Sequence, residues 1–223
     1  MINVAMDGPV GAGKSSVARE CAKRLGFIYV DTGALYRAVG LYCTRNGIEM
    51  SVENEQAVKK AVEDGVSLEI KLEEGTQLVF MNGENVSEEI RLPEISMAAS
   101  AVSAIPAVRR FLLDTQRSVA AKNNVIMDGR DIGTVILPNA DVKIFITAAP
   151  EIRAKRRYDE LVAKGVDVRF EDVLSDLNKR DYNDSHRAEA PLKQADDAVL
   201  LDTSALDFEQ TVNEVIRLVK TKV

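Results

Sequence analysis

Apolar and polar positions along this chain follow two rhythms that take turns. Residues 3–6 form a short apolar run without polar alternation, which predicts a strand covered on both faces. A glycine-rich turn follows, and from Lys14 to Leu25 apolar residues recur at helical spacing until Gly26, a natural helix stop. The succession returns at once: residues 27–30 are apolar, Asp31-Thr32-Gly33 interrupts, and Leu35, Val39, Tyr42 and Cys43 then repeat at helical spacing. Between residues 47 and 92 the rhythm changes. Ser51 is placed to cap a short helix, and residues 66–72 and 77–81 read as strands. Asn82-Gly83 closes the second strand, so the stretch predicts a small insert with its own sheet. Residues 93–104 and 106–121 each read as a helix opened by proline, where the missing N–H is tolerated.

The strongest buried strands come later, at 124–127, leading into Asp128-Gly129-Arg130-Asp131, and at 142–147, leading into a helix opened by Pro150. A charged region spans 151–193, a last strand lies at 198–201, and Asp207 caps a C-terminal helix. Five core strands alternate with helices, which argues an α/β fold with a doubly wound, five-stranded parallel sheet.

Composition narrows the function. The 223 residues are 46% hydrophobic and 29% charged, with a formal net charge of −6, so the electrostatic footprint of a duplex-binding protein is missing and no nucleic-acid partner is expected. No apolar run approaches the roughly 20 residues of a membrane span. The N-terminus also lacks a secretory pattern, so a cytoplasmic protein with no membrane partner is expected. Cys21 and Cys43 belong to no C-x-x-C pair and read as buried thiols, which disfavours structural zinc.

Gly8-Pro9-Val10-Gly11-Ala12-Gly13-Lys14-Ser15 fits G-x-x-x-x-G-K-[ST] between a strand and a helix, the context that makes the pattern a phosphate site. Glycines let successive backbone N–H groups converge on phosphate oxygens, and the helix N-terminus adds its dipole. Lys14 can bridge the outer phosphates, and the Ser15 hydroxyl can reach magnesium. Asp128 ends an apolar strand, where a magnesium–nucleotide complex needs an acid. The 151–193 segment carries ten basic and ten acidic residues. Its arginines, Arg153, Arg156, Arg157, Arg169, Arg180 and Arg187, read either as solvated helix faces or as a closing lid that brings guanidinium groups to a transferred phosphoryl. The single His186 has no nucleophile in a recognisable context, so triad hydrolysis finds no support.

Four separated segments, 7–16 (DGPVGAGKSS), 31–37 (DTGALYR), 128–134 (DGRDIGT) and 180–192 (RDYNDSHRAEAPL), together resemble the bacterial cytidylate kinases, and the similarity runs over essentially the whole chain. The resemblance implies a P-loop core at 1–46 and 93–223, an NMP-binding insert at 47–92 and a lid at about 154–187. It implies ATP as donor, bound by residues Gly8 to Ser16, with Mg2+ at Ser15 and, through water, Asp128. CMP or dCMP would be the acceptor. Thr32, Tyr36 and Arg37 would line the monophosphate pocket, with Arg130 and Arg187 joining Arg37 on the phosphate and Arg180 and Asp184 on the ribose. Cytosine would be read by Ser100, Arg109 and Asp131. Lys14, Arg153, Arg157, Arg187 and Asp128 would carry the transfer. An ionised Asp131 accepts from the cytosine N4 amino group and repels uracil O4, worth about 1–3 kcal/mol. Thr32 stands where many members carry serine, keeping the hydroxyl, and Arg109 is followed by Arg110.

Other readings compete: a P-loop kinase for UMP, AMP or a non-nucleotide acid, a nucleotide-binding regulatory switch, or an RNA-binding module, the last disfavoured by charge and by few aromatics. A monomer is expected, since no long apolar face is left over.

Overall fold

The computed structural model describes residues 1–73 and 76–222. Strand β1 (Asn3–Asp7) leads through the glycine-rich turn into helix α1 (Lys14–Leu25), and β2 (Ile28–Asp31) leads into α2 (Thr32–Arg45). Asp31 caps α2 by accepting a hydrogen bond from the Ala34 N–H. Helix α3 (Glu55–Gly65) begins one turn later than a Ser51 cap would place it. Asn54 is its N-cap, and the Ser51 hydroxyl instead accepts from the Asn54 N–H, stabilising the turn before the helix.

Three antiparallel strands follow, β3 (Leu68–Glu73), β4 (Thr76–Met81) and β5 (Glu84–Asn85). Asn82 and Gly83 between β4 and β5 both hold positive φ, as the tightest hairpin turns require. The two-residue β5 is too short to leave a pattern in the sequence. A 3-10 turn (Glu89–Arg91), α4 (Pro93–Ser103) and α5 (Pro106–Lys122) complete this part.

The chain then forms β6 (Val125–Asp128), a π-helical turn (Ile132–Ile136), β7 (Val142–Thr147), α6 (Pro150–Ala163), α7 (Phe170–His186), β8 (Val199–Asp202) and α8 (Phe208–Lys220). Asp207 and Gln210 build a reciprocal capping box on α8. The sheet is five-stranded in the order β2-β6-β1-β7-β8, with helices on both faces. β1 pairs in parallel with β7, and β7 with β8. The inner strands β1, β6 and β7 are nearly all buried, which is why they read as unbroken apolar runs. Edge strand β8 exposes Val199 and Leu200.

By contacts the chain forms two compact units, Ile28–Val125 and Ile2–Phe27 with the chain from Ile126 onward. The first unit is built on Leu35, Val39, Val62, Ile105 and Leu112, each no more than 1% exposed. Truncating one of them to alanine would cost about 2–5 kcal/mol. The second holds the central strands and the α6–α7 pair, with Ala154, Val173 and Leu177 packed together and Val10 against them. Cys21 and Cys43 are buried thiols, their pKa values pushed up by burial to about 12 and about 11. Among the described residues no single helix is long and apolar enough to cross a membrane.

Candidate active site

The second unit contains the phosphate loop. Gly8 takes φ 145°, and a Cβ there would stand 1.9 Å from the Ile146 carbonyl oxygen, so only glycine lets the chain leave β1 at this angle. Gly13, at φ 82°, hands the loop to α1. The N–H groups of Gly11, Ala12 and Gly13 make no hydrogen bond within the described residues. Together with the first turn of α1 they form an anion-binding concavity. The loop is held from behind: Asp181 accepts from the Val10 N–H at 2.9 Å, and Arg153 donates to the Val10 carbonyl at 2.7 Å and to Asp181 at 2.6 Å. Arg153 is 4% exposed and also donates to the Ala148 carbonyl. The structure therefore places this arginine under the loop.

Lys14 is 5% exposed and folds back to donate to the Pro9 carbonyl at 2.8 Å. Burial, followed by the charge of Arg130, lowers its pKa to about 7, against the pull of Asp128, Asp7 and Asp184. The Ser15 hydroxyl donates to Asp128 at 2.7 Å, so the two oxygens expected near magnesium already meet. A hydroxyl and one carboxylate are hard oxygen donors that fit Mg2+, which keeps most of its shell as water and phosphate. Among the described residues no group of three or more His, Cys, Asp or Glu could hold a metal unaided. Ser16 follows, exposed on α1.

Beside the loop, buried charges pair off. Arg130 donates to Asp184 at 2.7 Å. Although burial works against its charge, Asp184, Asp128 and Asp181 hold its pKa above the ordinary value. Arg187 meets Asp131 at 3.2 Å, both side chains almost wholly buried, and also donates to the Ala190 carbonyl. Arg180 differs from both, with no hydrogen bond or ion pair within the described residues and a pKa lowered by burial and then by Arg130. Arg157 lies on the surface with Glu160 at 2.8 Å. His186 stacks on exposed Tyr182, ring centroids 4.0 Å apart. Asp7, to which the sequence reading gives no role, is 4% exposed and accepts from the N–H groups of Ile132 and Gly133. Burial pushes its pKa up to about 6; the two N–H groups and Lys14 oppose that, and Asp131 adds to it.

The first unit carries its own set. Asp31, besides capping α2, holds Arg37 at 2.5 Å, while the buried Arg37 Nε has no partner among the described residues. Gln77 of β4 clamps Asp31 through two backbone bonds, accepting from its N–H at 2.7 Å and donating to its carbonyl at 3.1 Å. Thr32 is 3% exposed at the start of α2, and Tyr36 lies one turn on, its ring 5.6 Å from the Arg109 guanidinium carbon. Arg109 is buried and donates to the Ser103 carbonyl. Its neighbour Arg110 is exposed and pairs with Glu55, so Arg109 is the one turned inward. Ser100 on α4 is half-buried. The signals for Gln77 and Asp181 were faint: one is a single polar residue in an apolar strand, the other one acid among many.

A family model described as cytidylate kinase matches residues 4–221. A curated cytidylate kinase of Caldicellulosiruptor bescii is 49% identical over 219 residues, covering 97% of this chain and 95% of the relative. One from Thermosipho melanesiensis is 46% identical over 219 residues, covering 98% of this chain and 97% of the relative. Among solved structures, one described as an uncharacterized protein from Eubacterium ventriosum aligns with TM-score 0.52 at 13% identity over 99% of each chain, a likeness of fold alone.

Proposed function

The chain belongs to the cytidylate kinase family, whose members phosphorylate CMP and dCMP, and from that premise we propose that it moves the γ-phosphoryl group of magnesium-bound ATP in line to the acceptor phosphate. The observation that carries the donor half is the phosphate loop: open backbone N–H groups, Lys14 stored inside and Ser15 held on Asp128. Arriving phosphates draw Lys14 off the Pro9 carbonyl and favour the ammonium form that burial had opposed. Ser15 and, through water, Asp128 would hold Mg2+, which when bound neutralises charge on the outer phosphates. Arg153, together with Asp181, keeps the loop in shape, and Arg157 on a lid of about residues 154–187 brings its guanidinium to the transferred group.

On the acceptor side the reading assigns Arg37, Arg130 and Arg187 to the CMP phosphate, Arg180 and Asp184 to the ribose, Thr32 and Tyr36 to the pocket wall, and Ser100, Arg109 and Asp131 to cytosine. Two unsatisfied groups support it. Arg180 makes no hydrogen bond or ion pair within the described residues, although Asp176 and Asp184 attract its charge, and the Arg37 Nε proton is buried without an acceptor among them, which is costly unless a ligand completes it. Asp131 turns from Arg187 to the N4 amino group as the nucleotide enters. The acceptor phosphate is already ionised at neutral pH, so no general base is needed and positioning does most of the work. The monomeric state and cytoplasmic location expected from the sequence are carried into this reading.

The test is ADP release with Mg-ATP and CMP, dCMP, UMP, AMP or GMP, beside a control without acceptor. Fast turnover with CMP and dCMP alone is expected; release best with UMP or AMP, or indifferent to acceptor, would overturn the reading.

A further inference from the structure

We propose, resting on the cytidylate kinase reading, that Asp7 is a positioning residue for acceptor selectivity: its carboxylate holds the π-helical turn after β6 and thereby fixes where Asp131 stands. Asp7 is the last residue of β1, immediately before Gly8. Its side chain does not enter the phosphate loop but crosses to the turn, where one oxygen accepts from the Ile132 N–H at 2.8 Å and the other from the Gly133 N–H at 2.7 Å. Asp131 directly precedes those two residues, and its carbonyl accepts from the Val135 and Ile136 N–H groups. On the other side of Asp131 the Gly129 N–H donates to the Met6 carbonyl at 3.1 Å, so the backbone before and after the base-reading carboxylate is pinned to the strand that feeds the phosphate loop.

Three features of the turn point to function. π-Helical turns are rare and recur at functional sites. Thr134, inside this one, has a buried hydroxyl without a partner among the described residues. Packing at Gly133 is close: a Cβ there would stand 3.1 Å from Lys143 Cδ and 3.4 Å from the Asp7 carboxylate. The charge on Asp7 is itself expensive. A carboxyl whose pKa rises to about 6 on folding disfavours the folded state once it ionises, so at pH 8 this site costs stability, as functional positions often do. Asparagine cannot replace it in kind, because an amide offers one acceptor and turns a donor toward the second N–H.

The experiment measures KM and kcat for CMP, UMP and Mg-ATP in wild type, Asp7→Asn and Asp7→Glu, with Tm at pH 8. For Asp7→Asn the expected result is a CMP KM raised about tenfold and a CMP-to-UMP preference cut about tenfold. Its kcat and Mg-ATP KM should stay within about threefold and its Tm within about 3 °C of wild type. Asp7→Glu, which keeps both acceptor oxygens, should recover part of the CMP preference. If Asp7→Asn does not fold, Gly133→Ala carries the same readout with Asp7 left in place. A lower kcat with both KM values and the preference unchanged would mean lost folded protein and would overturn the proposal, as would Asp7→Glu matching a folded Asp7→Asn. A wild type that does not prefer CMP would overturn the underlying reading, whereas a CMP-selective wild type whose variants keep that selectivity would overturn only the role of Asp7.

Discussion

In the phosphate loop the N–H groups of Gly11, Ala12 and Gly13 bond to nothing within the described residues, whereas in the turn after β6 the N–H groups of Ile132 and Gly133 are both taken by the Asp7 carboxylate. The two clusters flank one strand end, Asp7 and Gly8 being adjacent. Converging N–H groups favour an anion wherever they occur. Where the chain supplies the anion the turn becomes a fixture; where it does not, the turn becomes a binding site. The cations divide in the same way: Arg130, Arg153 and Arg187 are held by carboxylates in ion pairs, while within the described residues Lys14 hydrogen-bonds only to a carbonyl and Arg180 makes no hydrogen bond or ion pair, both feeling carboxylates only at a distance.

The sharpest way to break the contrast is to remove the movable cation. Lys14→Ala should lower turnover about 10²–10³-fold, with the fold kept, because that charge is realised only against the transferred phosphates. Near-normal turnover of the folded variant would contradict the assignment. Next comes loop geometry: Gly8→Ala forces a methyl onto the Ile146 carbonyl and should cost about 3 kcal/mol or more in denaturant unfolding. On the fixture side, Asp131→Ala should narrow CMP-to-UMP discrimination by about tenfold in kcat/KM. An unchanged ratio would remove Asp131 from the base pocket.

The Lys14 pKa gives a smaller, signed effect. With a folded value of about 7 against an ordinary 10.5, the ammonium form disfavours folding, a cost that grows as pH falls from above 10 toward 7 and is constant below. Bound phosphate reverses the preference. Mg-ATP binding at pH 8 should therefore take up close to one proton and at pH 6 almost none, read by calorimetry in two buffers of different ionisation enthalpy. Smallest of all, Arg157→Ala should change stability by less than about 0.5 kcal/mol, its pair with Glu160 being exposed, so any loss of turnover there reports charge brought to the phosphoryl group.

The sequence made the phosphate loop legible because its glycines, Lys14 and Ser15 are contiguous and each answers a local demand of backbone angle or ligand. The inner strands were legible for a similar reason: burial on both faces removes polar residues from a continuous run. What escaped depends on distance along the chain. Asp7 meets Ile132 and Gly133 more than a hundred residues away, Gln77 clamps Asp31 from another sheet, and Asp181 and Arg153 reach Val10 from separate helices. None leaves a local period. The π-helical turn escaped because the carboxylate that holds two of its N–H groups is distant in the chain, and β5 because two residues carry no alternation. Ser51 misled because a serine hydroxyl serves a turn as readily as a helix start.

Amide hydrogen exchange with and without a non-hydrolysable Mg-ATP analogue tests the contrast most directly. The amides of Gly11, Ala12 and Gly13 should exchange fast in the free protein and become protected when nucleotide binds, while those of Ile132 and Gly133 should be slow in both states. Loop amides indifferent to nucleotide, or Ile132 and Gly133 amides as fast as the loop in the free protein, would contradict it.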